Sequence, residues 1–379
     1  MKVGFGTTVL ANGLARNGVD GIGSYTLELG NELSRLEDVS LVPAGFGITI
    51  TGGGFSATGT PVNLGRYAMS AGLGAVTPMA FPAERLLAAN IDLFHATDHL
   101  IPKFSGIPVV ATLMDAIPLS NPEWVRMRLA PLKRWLWRRA GHWADHIITI
   151  SEYSKREIVE HFGIAPEKIS VTPLGVDARF FERFDVASRN DILRRLELPE
   201  QFFLFVGTLQ PRKNLERVLS AHASLPMRLQ AEVPLVVVGR AGWGCDALVA
   251  RLNDIQRRRT VRWLKYLPDH EVRCLMQSAQ AMVFPSLCEG FGLPVVEAFA
   301  SGLPVITSNT TSLPEVAGDA ALLVNPENTA EIGDAMRQVL ENLALSERLS
   351  VAGLQRAREL SWQVCAQSTL EAYRRVLHR

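Results

Sequence analysis

Short apolar runs rich in β-branched residues recur along the chain, and longer segments with helical periodicity separate them. These runs are 2–5, 39–44, 92–97, 109–115, 146–151 and 168–173 in the first half, and 202–207, 234–239, 281–286, 304–308 and 321–326 in the second. Strands that are apolar along their whole length are buried on both faces, which is typical of parallel sheets covered by helices. The pattern therefore predicts an α/β protein with two doubly wound, Rossmann-like domains.

The boundary between the domains is expected within 173–190, where an apolar run ends in a turn and a polar segment follows. We place the first domain at 1–178 and the second at 179–360. The segment 361–379 is predicted to be a helix with Ser361 as its N-cap and basic residues at its end. Ligands bind outside the carboxyl ends of the strands in such sheets, so two facing domains predict an interdomain cleft.

Composition excludes several classes of function. The formal net charge is +1, so no global positive field favours nucleic acid. The cysteines (Cys245, Cys274, Cys288 and Cys365) form no CxxC pair, which argues against structural zinc and fits a reducing compartment. The sequence shows no signal-peptide pattern and no run of about 18 apolar residues. We expect a cytoplasmic protein, at most attached to the inner face of the cell membrane.

Two glutamates, Glu289 and Glu297, flank a Gly-Phe-Gly-Leu-Pro segment. A predicted strand precedes this segment and a predicted helix follows it, so backbone N–H groups and the helix dipole favour an anionic or hydroxyl-rich ligand there. Gly290 and Gly292 permit close approach of the backbone to a ligand. The two carboxylates could hold hydroxyl groups of one ligand at two points. Alternatively, Glu297 only offsets the helix dipole and Glu289 is an ordinary loop carboxylate.

The segment 284–308 resembles the paired-glutamate signature of retaining family 4 glycosyltransferases of GT-B fold. Further segments resemble the same family in the expected order, namely 20–29, 144–158, 175–177, 205–219 and 311–326. The resemblance covers nearly the whole chain. It implies an acceptor-binding first domain, a second domain that binds a nucleotide sugar, and a last helix that crosses back to the first domain.

In this family the first glutamate, here Glu289, lies beside the donor sugar, and the second, Glu297, holds the nucleotide ribose. A carboxylate suits a vicinal diol because each oxygen accepts one O–H. The resemblance also implies backbone amides that face the sugar hydroxyls and the diphosphate. These amides belong to Gly290, Phe291, Gly292 and Leu293.

A basic pair follows the first strand of the second domain. Gly207 and Thr208 lie at the strand end, and Arg212 and Lys213 are predicted to begin a helix. Cations aimed at a departing nucleotide diphosphate stabilise the transition state more than the ground state, and the resemblance gives this role to Lys213 and Arg212. Many family members have arginine where Thr208 stands, which leaves the role of Arg212 open. The alternative is a solvent-exposed basic helix start.

The segment 20–29 begins the first long helix of the chain. Its glycines Gly21 and Gly23 suit a phosphate or an acceptor hydroxyl at the helix N-terminus, although a plain strand-to-helix turn would also use them. The earlier segment 4–8 lacks the third glycine of a dinucleotide-binding motif, which argues against a dehydrogenase.

Three residues at predicted strand ends of the first domain are candidates for a ligand site: His95, Met114 and Asp115. His95 could equally be a hydrogen-bonded structural histidine. Many family members have histidine where Met114 stands, in reach of the C6 hydroxyl of the sugar. A thioether would accept a C6 methyl more readily than a hydroxyl, which favours a 6-deoxyhexose such as D-rhamnose, while mannose remains the alternative. Met114 could also simply pack, with another residue contacting the sugar.

These features predict a retaining hexosyltransferase that uses a nucleotide-diphosphate sugar, with a GDP sugar favoured. In the front-face route the acceptor hydroxyl enters beside the leaving phosphate, which takes the proton. The sequence contains no DxD motif, so no metal cofactor is expected. The alternatives are a nucleotide-sugar 2-epimerase, a phosphorylase, or a non-catalytic sugar-nucleotide-binding protein.

The most basic stretch, 124–143, predicts a helix from Pro131 in which Trp137 lies among Lys133, Arg134 and Arg138. An indole within a cationic face suits a membrane interface, which would imply a lipid-linked glycan acceptor in cell-surface polysaccharide synthesis. The alternative is a solvated helix with cation–π contacts.

Overall fold

In the computed structural model, the described residues are 1–15, 19–47, 55, 60–125 and 129–378. They form two compact units, Met1–Gly175 with Trp362–Arg379, and Val176–Ser361. Each unit contains a parallel sheet with helices, as the alternating pattern predicted. The division after Gly175 falls inside the predicted boundary segment 173–190, slightly ahead of the predicted break.

The first unit is built on a sheet whose described strands have the order β3-β2-β1-β4-β5-β6-β7, all parallel. The strands are β1 (Lys2–Gly6), β2 (Ser40–Gly45), β3 (Val62–Asn63), β4 (Leu93–Ala96), β5 (Val109–Thr112), β6 (His146–Thr149) and β7 (Ile169–Val171). The helices are α1 (Thr8–Ala15), α2 (Gly21–Ser34), α3 (Tyr67–Val76), α4 (Glu84–Leu87), α5 (Ile117–Ser120), α6 (Ala130–Gly141) and α7 (Glu152–Phe162). Every residue of β4, β5 and β6 is buried, because helices cover both faces of the sheet.

The second unit has a sheet with the order β10-β9-β8-β11-β12-β13 among the described residues, again all parallel. Its strands are β8 (Phe203–Val206), β9 (Leu235–Val238), β10 (Val261–Leu264), β11 (Ala281–Phe284), β12 (Val305–Ser308) and β13 (Leu322–Val324). Its helices are α8 (Val186–Arg195), α9 (Leu215–Ala223), α10 (Met227–Glu232), α11 (Asp246–Ile255), α12 (Asp269–Ser278), α13 (Leu293–Ala300), α14 (Leu313–Ala317), α15 (Thr329–Glu341) and α16 (Leu343–Glu359).

Two strands escaped the prediction from apolar runs. The strand β3 has only two residues, too few to form a pattern. The strand β10 lies at the edge of its sheet, where buried and half-buried residues alternate because Arg262 and Leu264 reach towards solvent. A strand with one face partly open to solvent needs no continuous apolar run.

The helix boundaries follow local sequence signals. Ser151 is the N-cap of α7 and its hydroxyl accepts a hydrogen bond from the N–H of Ser154. The same helix ends at Gly163, which adopts a left-handed conformation with φ of 69°. Asn328 caps α15 by accepting from the N–H groups of Ala330 and Glu331.

The last helix, α17 (Trp362–Leu377), belongs to the first unit. The Tyr373 hydroxyl lies 2.6 Å from Nδ1 of His95, and the Trp362 ring lies against the Tyr25 ring with 6.2 Å between centroids. Val364 lies on the outer side of this helix and is 47% exposed. The buried face contains Trp362, Cys365, Ala366, Thr369, Leu370, Ala372, Tyr373 and Val376.

Replacing Tyr373 with phenylalanine should destabilise the first unit by about 1–3 kcal/mol, because Nδ1 of His95 would lose its partner inside the core. Chemical denaturation of wild-type and Tyr373→Phe protein measures this difference. Tyr266→Phe is the matched control, since Tyr266 is 63% exposed and its loss should change stability by less than about 0.5 kcal/mol. Equal effects of the two substitutions would contradict the structural role of Tyr373.

Candidate active site

The candidate site of the second unit lies where strand order reverses. The chain runs from β8 outward to β9 and β10, then returns to β11 beside β8 and continues to β12 and β13. The loops after β8 and β11 therefore leave the sheet from adjacent strands and diverge, which opens a crevice at their carboxyl ends. Arg212 and Lys213 lie in the first of these loops, and Glu289 lies in the second.

The carboxylate of Glu289 is the centre of a buried ion cluster. Its Oε1 accepts from Lys213 Nζ at 2.6 Å and from the Ser286 hydroxyl at 2.7 Å, and its Oε2 accepts from Arg212 at 2.9 Å. Glu289 is 6% exposed and Lys213 is 8% exposed. Two cations share one carboxylate, so the cluster favours a further negative charge.

Hydrogen bonds to backbone carbonyls hold the two loops of this cluster in place. The N–H of Leu287 donates to the carbonyl of Arg212 at 2.8 Å, and the Arg212 guanidinium donates to the carbonyl of Cys288 at 3.0 Å. The buried amide of Asn214 donates to the carbonyls of Pro285 and Pro326. The cations are thus fixed relative to Glu289 before any ligand arrives.

This arrangement corrects one prediction about the basic pair. Arg212 and Lys213 lie in a short 3-10 turn, Pro211–Lys213, and the helix α9 begins only at Leu215. An exposed basic helix start is wrong for Lys213, because that side chain is buried and contacts the face of the Phe284 ring at 4.6 Å.

Charges in the cluster determine the protonation of its members. Burial alone would raise the pKa of Glu289, but the charges of Lys213 and Arg212 outweigh burial and lower that pKa below its usual value. Burial also lowers the pKa of Lys213, against the opposing effect of Glu289. Glu289 is therefore an ionised carboxylate at neutral pH.

The loop between Glu289 and α13 depends on glycine. Gly292 has φ of +107°, and a Cβ there would lie 2.6 Å from Cδ2 of Leu313. The hydroxyl of Ser312 donates to the carbonyls of Glu289 and Phe291, which fixes the loop from outside. Gly290, Phe291 and Gly292 are buried, and Leu293 begins α13, so the predicted amides lie together at a helix N-terminus.

The second glutamate, Glu297, lies one to two turns into α13 and is half-buried. Burial raises its pKa to about 7, with further contributions from Asp269 and Asp177 and an opposing one from Lys213. Its side chain is not part of the hydrogen-bonded cluster around Glu289 in the described structure. This carboxyl group changes protonation near neutral pH.

The strand end before the basic turn approaches its neighbour closely. A Cβ at Gly239 would lie 1.9 Å from the carbonyl oxygen of Gly207, which itself has φ of +152°. Thr208 is exposed at this strand end, beyond the buried cluster. The structure therefore places Gly207 and Thr208 beside the crevice without joining Thr208 to Glu289.

The first unit contains a cavity of about 220 Å³ at the ends of β4 and β5. Met114 and Asp115, predicted from the sequence, are half-buried and line it. The sequence alone assigned no role to Asp98 and His99, which also line the cavity. Their position could have indicated a ligand site, because they follow the end of β4 after one residue, Thr97. Burial raises the pKa of Asp98, although the His99 charge and the Leu100 N–H act against it.

His95 does not face this cavity, and the prediction that it contacts a ligand is wrong. The side chain is fully buried, with Nδ1 beside the Tyr373 hydroxyl and Nε2 2.8 Å from the Thr112 hydroxyl. Burial lowers the pKa of His95 to about 3, so the ring is neutral at physiological pH. The structure instead supports the alternative, in which His95 is a hydrogen-bonded structural histidine.

The glycines at the start of α2 also differ from expectation. The N–H of Gly23 donates to Oδ1 of Asp20 at 2.8 Å, so a side chain of the protein already caps this helix. Gly23 is buried against Val19, and only Gly21 is exposed. A phosphate bound to the Gly23 amide would have to displace Asp20.

The predicted orientation of Trp137 is wrong as well. Trp137 packs against the core of the first unit, and its ring centroid lies 4.9 Å from that of His99. The face of α6 turned to solvent instead presents Leu132, 57% exposed, and Trp135, 46% exposed. Leu132 lies in the first turn of α6, one turn before Leu136, which packs against the core.

No helix among the described residues is long and apolar enough to cross a membrane. In the same part of the chain, the side chains grouped closely enough to hold a metal ion are Glu157, Glu160 and His161 on α7. They lie in the first unit, whereas Glu289 lies in the second.

Comparison with known proteins assigns the fold and the family. Two parallel α/β units of this kind match the GT-B fold. Anabaena HepE, solved in complex with UDP and glucose, superposes with a TM-score of 0.74 over 99% of each chain at 17% identity. WaaG, a glycosyltransferase involved in lipopolysaccharide biosynthesis, gives a TM-score of 0.67 over 97% of this chain and 98% of its own, also at 17% identity.

The chain belongs to the glycosyltransferases group 1 and family 4, whose family models match residues 189–356 and 19–180. It is 36% identical over 232 residues to O-antigen chain mannosyltransferase B of Escherichia coli, and the match spans 61% of each chain. It is 31% identical over 291 residues to the MMP alpha-(1->4)-mannosyltransferase of Mycolicibacterium hassiacum, over 72% of this chain and 67% of the relative.

Burial raises the pKa of Glu297, so its carboxyl group stays neutral to a higher pH in the folded protein than in the unfolded chain. Its contribution to the free energy of unfolding is fully present below the unfolded pKa near 4.5 and is lost as pH rises through about 7. Glu297→Gln should therefore increase the free energy of unfolding at pH 8 relative to wild type, by on the order of 2 kcal/mol. The difference should shrink towards pH 5. Urea denaturation at both values tests this, with the exposed Glu341→Gln as control. A pH-independent difference would contradict it.

Proposed function

We propose that the protein is a retaining hexosyltransferase that moves mannose or a 6-deoxyhexose from a nucleotide-diphosphate sugar to a glycan acceptor. One observation carries the proposal: the buried carboxylate of Glu289 is shared by Lys213 and Arg212 at the switch point of the second sheet. The mannosyltransferase relatives support the sugar class.

The two cations suit the leaving group. As the bond from the anomeric carbon to the diphosphate breaks, negative charge accumulates on the phosphate oxygens. Lys213 and Arg212 are held in place by Glu289 and by the loop hydrogen bonds, so they need little rearrangement when that charge develops. Preorganised charges of this kind lower the barrier more than they tighten substrate binding.

Retention follows in this proposal from front-face attack. The acceptor oxygen forms its bond to the anomeric carbon on the side from which the diphosphate departs. The proton of the acceptor hydroxyl passes to an oxygen of the leaving phosphate, so the protein need not supply a separate base. Glu289 stays ionised, beside the sugar, and maintains the positions of the cations.

The segment after Glu289 is assigned to the rest of the donor. Amides from Gly290 to Leu293 converge at the N-terminus of α13, where anionic groups are favoured. The carboxylate of Glu297 would accept both hydroxyls of the nucleotide ribose. Since the two cations offset part of the diphosphate charge, we propose that no metal ion takes part, and we expect full turnover in EDTA.

The acceptor is assigned to the first unit, at the cavity whose lining includes Asp115, and Met114 of the same lining is assigned to C6 of the donor sugar. The relative in O-antigen synthesis supports a glycan acceptor of cell-surface polysaccharide, and a lipid-linked one fits the surface of α6 described below. For the donor we favour a GDP sugar over a UDP sugar, with mannose supported by the relatives and a 6-deoxyhexose by the apolar thioether of Met114.

Glu289→Gln should lower kcat about 100-fold or more while donor binding stays nearly unchanged, because Gln cannot hold the two cations by charge. Glu297→Gln should mainly raise the donor KM, about 10-fold, because an amide offers one acceptor oxygen to the ribose diol where a carboxylate offers two. Steady-state kinetics with saturating acceptor separates the two effects. Full turnover by Glu289→Gln would refute its role.

Comparing kcat/KM for GDP-mannose and GDP-D-rhamnose tests the role of Met114. If Met114 contacts C6, wild type should use the deoxy sugar at least as well, and Met114→His should shift preference towards mannose by about 10-fold. Met69→His, on an exposed face of α3, is the matched control. A clear preference for mannose that Met114→His leaves unchanged would refute the contact.

A membrane-facing surface on α6 is proposed in place of the one centred on Trp137. Leu132 and Trp135 are 57% and 46% exposed and lie about one turn apart on α6, and Leu129, 72% exposed, immediately precedes the helix. The exposed cation Arg139 lies on the same face, one turn beyond Trp135, and Lys133 is exposed on the same helix. An apolar strip with flanking cations suits the interface of an anionic membrane.

Sedimentation with phosphatidylglycerol vesicles tests this surface. Trp135→Ala with Arg139→Glu should weaken binding about 10-fold, since both an interfacial indole and a cation are lost. The control is Val351→Ala with Arg348→Glu on α16, where both residues are also exposed. Equal binding by the α6 variant and wild type would reject the surface.

A further inference from the structure

A second cavity, of about 460 Å³, lies in the second unit between the starts of α9 and α11. Its volume falls in the range of small-molecule sites. Its walls combine cationic, polar and apolar side chains. They include Gln210, Ser220, Arg217, Arg251, Leu248 and Leu287.

Two guanidinium groups line this cavity without a carboxylate partner among the described residues. Arg217 donates to Oδ1 of Asn214 at 3.0 Å. Arg251 donates to the carbonyl of Glu216 at 3.3 Å and to the hydroxyl of Ser220 at 3.1 Å. Each guanidinium has five N–H donors, so most of them remain available for a ligand. Both side chains are half-buried, where an unneutralised charge attracts an anion strongly.

The helix ends at the cavity add to this positive character. The N-cap residues of α9 and α11 are Asn214 and Cys245, and neither side chain caps its helix. The starts of both helices line the cavity, where the helix dipoles also favour negative charge. The exposed carboxylate of Glu216 is the acidic group in the lining, and Arg251 contacts its backbone rather than its side chain.

We propose that this cavity binds a small phosphate-bearing molecule of the sugar-phosphate class. Arg217 and Arg251 would hold the phosphate, as guanidinium groups pair with phosphate oxygens in bidentate fashion. Leu215, Leu248 and Leu287 would contact the carbon skeleton. This site is additional to the proposed donor site and does not depend on it.

Occupancy of the cavity would bear on the turn that carries the donor-site cations. Gln210 and Pro211 line the cavity and directly precede Arg212 and Lys213. Leu287, also in the lining, donates its N–H to the carbonyl of Arg212. A bound phosphate compound would therefore contact both the start of the turn and the residue that holds it, and would act as a regulator.

Calorimetric titration with glucose 6-phosphate tests the proposal, with glucose as the uncharged comparison. The full chain is compared with Arg217→Gln plus Arg251→Gln. It is also compared with a donor-site variant, Arg212→Gln with Lys213→Met and Glu289→Gln, which removes all three charges of the donor-site cluster. Arg228→Gln is the matched control, because Arg228 is exposed and pairs with Glu232 on α10. If the double arginine variant does not fold, Arg251→Gln alone and Arg251→Lys replace it.

We expect the arginine variant to weaken glucose 6-phosphate binding at least 10-fold, while the donor-site variant and Arg228→Gln bind as wild type does. Arg251→Lys should retain part of the affinity lost in Arg251→Gln. Three results would overturn the proposal: no binding to wild type at millimolar concentration, equal binding by the arginine variant, or loss of binding only in the donor-site variant. The last would assign the phosphate to the donor site, whatever reaction that site performs.

Discussion

The ion cluster of Glu289 with Lys213 and Arg212 is the interaction on which the site of the second unit depends. A buried carboxylate is stable only when it is paired and hydrogen-bonded, and here Ser286 completes its coordination. The cations follow β8 and the carboxylate follows β11, so one cluster joins two loops far apart in sequence. Because all three charges are fixed in advance, a diphosphate would meet cations that are already positioned.

The buried hydrogen-bond network around His95 in the first unit contrasts with this cluster. His95 is neutral, its pKa is near 3, and its two ring nitrogens are matched by Tyr373 and Thr112. Neither ring nitrogen is available to a ligand, so this network holds α17 against the sheet. In the second unit one carboxylate is shared by two cations, and the excess positive charge is what a donor would use. Both networks are buried, and they differ in charge: the His95 network is neutral, whereas the Glu289 cluster has an excess of positive charge.

The sequence predicted the sheets well because a strand buried on both faces must be apolar throughout. It missed β10, an edge strand under weaker demand. The direction of side chains was harder to predict. Trp137 was placed wrongly because a small rotation of α6 about its axis decides whether the ring faces solvent or the core. His95 was placed wrongly because its partner, Tyr373, comes from a helix that is distant in sequence. The cap by Asp20 was likewise invisible, since a glycine-rich helix start suits both a ligand and a local carboxylate. Adjacency of β8 and β11 follows from topology, but the sequence did not predict the contact of Glu289 with the basic turn.

We propose that the cluster around Glu289 receives a nucleotide diphosphate. Calorimetric titration of GDP and UDP into wild type and into the triple variant Arg212→Gln, Lys213→Met and Glu289→Gln tests this most directly. The triple substitution removes both cations together with the carboxylate that they share, so the excess positive charge is lost and no buried charge is left unpaired. We expect at least one diphosphate to bind wild type and the triple variant to bind it at least about 10-fold more weakly. Unchanged affinity in a folded triple variant, or no binding of either diphosphate to wild type, would contradict this assignment.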